Sequence, residues 1–180
     1  MKRFLKFLSF VLPFVIISCS DADGWSEQER ALINGATLSR MEVVTIDNVE
    51  DSLILRKVSR DLTASQVNSV EFARLVSSMI ETVNNPENEG VGIAAPQVGV
   101  LKRVVVIDLD DEPYELINPE IIETRGEQNG PEGCLSYPGQ FGMVKRPMYV
   151  KIKAQDRTGA WHEYEGEELL ARAFCHETDH

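Results

Sequence analysis

Cysteine is scarce in this chain, with three residues in 180, at positions 19, 134 and 175. Three thiols are too few for a disulfide framework, so an ordinary apolar core has to hold the fold. Positive charge is also in short supply, with 18 Lys and Arg against 29 Asp and Glu and a net charge of −11. A surface that acidic repels phosphate backbones, which excludes a nucleic-acid-binding protein. Long hydrophobic runs are missing too. The longest, Leu5 to Ile17, is broken by Ser9 and Pro13 and falls short of the roughly 20 residues that span a bilayer. No internal repeat or low-complexity tract is present. The composition that remains is 43% hydrophobic and 26% charged, enough to bury the core of one domain of ordinary size.

Lys2 and Arg3 precede the apolar run, Lys6 stands at its start, and small Ser18 and Cys19 close it. This is the pattern of a secretory signal over residues 1–18. Ile16-Ile17-Ser18-Cys19 also resembles a bacterial lipobox, in which the cysteine is lipidated and becomes the first mature residue. A thioether-linked diacylglycerol with an amide-linked chain supplies the two or more acyl groups that stable anchoring needs. The expectation is a lipoprotein of the bacterial cell envelope that meets the membrane only through a lipid on Cys19. A leader that is not a true signal would instead leave the chain in the cytoplasm. Residues 19–42 read as a tether. Ser26 and Glu29 stand at capping-box spacing and Gly35 is a helix stop, so a short helix is expected from Glu27 to Asn34.

A globular domain is expected over 43–180. Val67, Val70, Ala73, Val76, Ile80 and Val83 recur at spacings of three and four, which predicts one amphipathic helix over residues 64–84 with Met79 in the core. Strands are expected at 103–109, 114–117, 121–124 and 149–154, and a second helix from about Gly166 to the end. One helix, several short strands and a last helix make an α+β fold rather than alternating βαβ units.

Three motifs carry the chemistry. His176-Glu177-Thr178-Asp179-His180 is an HExxH pattern. On a helix, i and i+4 share a face, so both imidazoles reach one metal, and Glu177 lies beside the first ligand to move protons. Asp179 reads as a supporting or surface group and His162 as a surface strand residue. In Glu132-Gly133-Cys134-Leu135-Ser136, the glycine-flanked Cys134 is a candidate third ligand with one position left open, although a free thiol or pairing with Cys175 is also compatible with the sequence. The run from Gly90 to Gly99 has no preceding strand, lacks the third glycine of a dinucleotide loop and contains Pro96, so nucleotide binding is rejected. Either a tight turn or a close approach of backbone to an extended peptide fits the run. In the second case Gln97 offers an amide N–H to an oxyanion.

Gly92-Ile-Ala-Ala-Pro-Gln-Val-Gly99, Glu132-Gly-Cys-Leu-Ser136 and His176-Glu-Thr-Asp-His180 together resemble the peptide deformylase family, in its order and at about its spacing. Met79, Glu81, Thr82, Leu116 to Glu120, Arg146-Pro147 and Leu53 to Arg60 add lesser matches. The resemblance implies antiparallel strands around a C-terminal metal-binding HExxH helix, and removal of the N-formyl group from formyl-methionyl peptides. It implies one metal per chain, Fe(II) first and Zn, Ni or Co as substitutes, held by Cys134, His176 and His180. Glu177 would be the general acid/base, and Gln97 and the backbone N–H of Leu135 would hold the oxyanion. Gly92, Ile93 and Ala173 are the expected substrate contacts, with polar Arg172 on the same helical face as Ala173. Cys175 stands where relatives often carry glutamine and is expected to be a packed thiol. Relatives continue past the position of His180, so the resemblance also implies a C-terminally truncated domain. Two other readings are a zinc metallopeptidase of the HExxH type, which Cys134 argues against, and an envelope lipoprotein without turnover.

Overall fold

The computed structural model describes residues 24–36, 40–88, 90–109 and 112–180. The signal over 1–18 and the lipidation site Cys19 lie outside the described residues. Among the described residues no helix is long and apolar enough to cross a membrane.

The N-terminal part is helical. Helix α1 (Glu27–Asn34) is closed by a capping box in which Ser26 Oγ accepts from Glu29 N at 3.2 Å and Glu29 Oε2 accepts from Ser26 N at 2.8 Å. Helix α2 (Val49–Leu55) begins at an Asn48 cap. The expected single helix over 64–84 is two, α3 (Ala64–Val67) and α4 (Val70–Val83). Ser69 adopts extended backbone and its hydroxyl accepts from Phe72 N, so it caps a new helix instead of continuing the old one.

The strands follow. They are β1 (Gly92–Ala94), β2 (Val104–Ile107), β3 (Tyr114–Arg125), β4 (Gln128–Cys134), β5 (Tyr137–Arg146), β6 (Tyr149–Gln155) and β7 (Trp161–Glu167). The runs expected as separate strands at 114–117 and 121–124 form one strand, with register shifts at Ile117/Glu120 and Ile121/Glu123 absorbing Pro119. Strands β1, β2, β3, β6 and β7 form an antiparallel sheet in that order, and β4 and β5 form a separate two-stranded sheet. Helix α5 (Glu168–Asp179) follows β7 directly.

Strand alternation divides the core in two. Ile93, Val104, Val106 and Ile117 face one side, where Trp25 and Ile33 beside α4's Phe72, Leu75, Val76 and Met79 cover them. Ala94, Val105, Ile107 and Leu116 face the other side, where Ala171, Phe174 and Cys175 of α5 pack. The sheet therefore lies between an N-terminal helical layer and the helix that carries HExxH, an α+β arrangement.

Candidate metal centre

Three elements converge at the cleft beside α5. Cys134 ends β4 at a register shift, where Gly133 pairs with Phe141 but Cys134 pairs with Tyr137. A Cβ on Gly133 would lie 2.8 Å from the Phe141 ring, so glycine lets that exposed ring lie over the strand. His176 and His180 project from one face of α5 with ring centroids 5.5 Å apart. The Cys134 Sγ lies 3.4 Å from His180 Nε2, and one donor atom from each of Cys134, His176 and His180 lies within 4.8 Å of the others. Ligand bonds of about 2.0–2.3 Å around a tetrahedral ion put neighbouring donors about 3.5 Å apart. One thiolate and two imidazoles at these separations fit a transition-metal ion.

The charges around the three donors are tightly coupled to one another. Burial opposes ionisation of the Cys134 thiol, but hydrogen bonds from His176 and His180 outweigh it and bring the thiol down to about 6. The same bond to Cys134 raises His176 to about 9. Glu132 Oε2 accepts from His176 Nδ1 at 3.1 Å, which leaves the other ring nitrogen for an ion. Arg146 holds Glu132 through two bonds of 2.9 Å and Arg172 through one of 2.7 Å. Burial alone would raise the Glu132 carboxyl, but these partners hold it down at about 2.

Glu177 occupies the opposite flank. It is 5% exposed, its Oε2 has no partner, and burial pushes it up to about 7. A Cβ on Gly92 would lie 2.7 Å from its Oε1, so glycine at 92 is what admits the carboxylate. Gln97 sits in a 3-10 turn over Ala95–Val98 that ends on Gly99 at φ 79°. Its Oε1 accepts from Ala94 N at 2.8 Å, and its Nε2 is aimed at Cys134 Sγ, 3.5 Å away. A cleft of about 360 Å³ opens over these groups, with Gly92, Gln97, Cys134, Leu135, His176 and Glu177 in its wall. A larger depression of about 1160 Å³ at Tyr114, Asp156 and Tyr164 has none of the three donors in its wall, which includes the Arg157–Glu115 ion pair.

The sequence model of the family described as polypeptide deformylase matches residues 41–180. The peptide deformylase of Agathobacter rectalis is 52% identical over 132 residues, which cover 73% of this chain and 80% of that protein. This chain belongs to the polypeptide deformylase family. The crystal structure of the Thermotoga maritima deformylase superposes with a TM-score of 0.70 at 34% identity, covering 78% of this chain and 90% of that one. A class I type b deformylase from Acinetobacter baumannii, crystallised with Met-Ala-Ser bound, superposes with a TM-score of 0.70 at 31% identity, covering 78% and 91%.

Most residues singled out in the sequence come together at this deformylase cleft. Cys134, His176 and His180 form the donor set, while Glu177, Gln97, Leu135, Gly92 and Ala173 line the cleft. Ile93 does not. It is fully buried in the core behind β1, because alternation along the strand turns it away from the side that Gly92 presents to Glu177. Cys175 is a buried free thiol, His162 is an exposed β7 residue bonded to Asp156, and exposed Asp179 accepts from Arg146 at 2.7 Å. Glu132, Arg146 and Arg172 join this cleft without a role that local sequence assigns them. The one signal for Glu132 was its place two residues before Cys134. For the arginines the partners are 14 and 40 residues away, and no local spacing marks such pairs.

Proposed function

We propose that this chain hydrolyses the formyl amide of N-formyl-methionyl peptides in the cleft beside α5, releasing formate and a free amino terminus. The observation that carries the reading is the unpartnered Glu177 Oε2, buried beside a Cys-His-His donor set with Gln97 Nε2 aimed into the same space. Membership of the deformylase family supports it, as does a relative crystallised with Met-Ala-Ser, a peptide that begins with the residue the reaction exposes.

Cys134, His176 and His180 would hold one ion, Fe(II) in the reading favoured here, with Zn, Ni or Co able to replace it. When bound, the ion supplies Lewis acidity and a nucleophile that is available near neutral pH. Glu177 takes the proton of the attacking water and delivers it to the nitrogen as the C–N bond breaks. In the metal-free chain desolvation raises Glu177 to about 7, a range in which a carboxyl can both accept and donate a proton. Gln97 Nε2 and the Leu135 N–H stabilise the charge that develops on the formyl oxygen. The substrate's methionine side chain enters beside Ala173 and Leu169, both in the cleft wall.

Formate release from formyl-Met-Ala-Ser tests the reading, with the full chain loaded anaerobically with Fe(II) and a Glu177→Ala variant beside it. Turnover in the parent that falls at least a hundredfold in the variant, with metal retained, is the expected result. A metal-loaded parent that releases no formate overturns the substrate assignment. The Ile16-Ile17-Ser18-Cys19 motif supports a further proposal, that Cys19 anchors the domain to the envelope membrane. Membrane fractionation of the parent and a Cys19→Ala variant in a bacterial host tests it, and an unchanged distribution rejects it.

A further inference from the structure

The thiol and the two imidazoles arrive at the centre on supports that no hydrogen-bonded ladder joins. Cys134 rides on the β4–β5 hairpin, which is separate from the five-stranded sheet, whereas His176 and His180 ride on α5, which grows out of β7 of that sheet. Something else must fix the separation of the donors.

Arg172 spans the gap. It lies on α5 one helical turn before His176, and its side chain is 9% exposed. Its Nη1 donates to Glu132 Oε1 at 2.7 Å, to Val144 O at 3.1 Å and to Gly130 O at 3.4 Å. Gly130 and Val144 face each other across the hairpin, so one nitrogen, sharing two hydrogens among three acceptors, grips both strands at a single rung. Gly130 makes room for it, because a Cβ there would lie 3.0 Å from Nη2. Other ties run from Arg146 to Asp179, a carboxylate that is 67% exposed and so holds geometry weakly, from Gln128 to Glu168 O at the far end of α5, and from His176 to the same Glu132 that Arg172 grips.

We infer that Arg172 is a positioning residue for the metal centre, locking the hairpin onto α5 so that Cys134 meets His176 and His180 at ligand spacing. The inference rests on the metal site proposed above. It gives Arg172 a role through β4 rather than through contact with substrate or ion.

Co(II) is the probe, because a thiolate-to-cobalt charge-transfer band reports Cys134 directly. Titrations under anaerobic conditions would compare the full chain with Arg172→Met and Arg172→Lys, each also in a Cys134→Ser background. Supporting groups around metal ligands typically contribute about 10–100-fold in affinity. Arg172→Met is expected to weaken Co(II) binding by that factor and to reduce the band. Arg172→Lys, which keeps a donor but loses the fork, should fall between. In the Cys134→Ser background the Arg172→Met step should shrink without vanishing, because the residue acts on Cys134 through the hairpin and on His176 through Glu132. An affinity and band unchanged in Arg172→Met would overturn the inference, and so would a loss of equal size in the Cys134→Ser background. Should Arg172→Met not fold, Gly130→Ala displaces the guanidinium while keeping its charge, and its titration is scored in the same way. A parent chain that binds no Co(II) defeats the metal site itself.

Discussion

Gly92 and Glu177 compete for the same space, and the whole catalytic proposal depends on the glycine losing nothing by having no side chain. A methyl at 92 would sit 2.7 Å from Glu177 Oε1 and 2.9 Å from its Cδ, well inside van der Waals contact. Gly92→Ala is therefore expected to push the carboxylate off its place while the strand persists. Displacements of about 1 Å at a reacting group cost on the order of a hundredfold in rate. Formate release should fall by that factor while metal content and thermal midpoint stay near those of the parent. A variant with full activity would mean that Glu177 is not held where its chemistry needs it. Glu177 also sets a pH dependence in the metal-free chain. Its carboxyl stands at about 7 in the fold against an ordinary 4.5, because burial disfavours the charge. With the folded value raised, the group imposes no penalty below pH 4.5, and the penalty grows as pH rises through about 7, reaching roughly 3 kcal/mol above it. Glu177→Gln removes that penalty. Urea unfolding in the presence of chelator should find the variant more stable than the parent by about 3 kcal/mol at pH 8 and equal to it at pH 4.5. A difference that does not change with pH would contradict the buried, raised carboxyl.

At the scale of elements, what could be read from the chain was what packs a face. Helix α4 and strand β6 were legible because each buries a periodic apolar set, β2 because it is a continuous apolar run buried on both faces, and α1 because its capping box is local. Strands β4, β5 and β7 were not. Gln128–Cys134 and Tyr137–Arg146 hold glycines and prolines and bury little, so no alternation is imprinted on them. Their strand structure comes from pairing with one another. The same hairpin carries Cys134, which explains why the thiol could be singled out as a ligand while Glu132, Arg146 and Arg172, which join the hairpin to α5, could not. Asn118 shows a second kind of joint. It sits at φ 51° inside β3, its Oδ1 accepts from Leu62 N at 2.8 Å, and its Nδ2 donates to Leu62 O at 3.0 Å and to Gln155 Oε1 at 2.8 Å. One amide thus replaces a missing rung between the segment before α3 and the sheet. Asn118→Ala leaves the backbone groups of buried Leu62 unpaired and keeps a methyl in the left-handed region. Together these are expected to cost about 3–4 kcal/mol. Asn118→Gly relieves the backbone term of about 1 kcal/mol and should be the less damaged of the two. Denaturant midpoints check the order, and equal midpoints for parent and Asn118→Ala would show that the joint carries no stability.

Across the whole molecule, β1 and β2 belong to both halves of the core, so the side of the sheet far from the cleft underlies the near one. Ile93 and Val106 face the N-terminal helices, while their neighbours Ala94 and Val105 face α5. The far layer is closed by Trp25, which is fully buried and donates from Nε1 to Ser69 Oγ at 3.0 Å, with Lys102 Nζ 5.4 Å from its ring centroid. The Ser69 hydroxyl also caps α4, so a residue outside the family match at 41–180 fastens the first turn of the main helix within it. Trp25→Ala removes a large side chain from a filled site, a change that costs roughly 3–5 kcal/mol. The cleft itself loses no contact. The variant is therefore expected to unfold at much lower denaturant while turning over formyl-Met-Ala-Ser at a kcat within about twofold of the parent, when both are assayed well below their midpoints. Trp161, the other tryptophan, is half exposed, so in a Trp161→Phe background the emission of Trp25 alone should report when the N-terminal layer separates. If that signal changed before the sheet unfolded, with activity intact, the layer would be a detachable cover. A single coincident transition is what a shared β1–β2 floor requires.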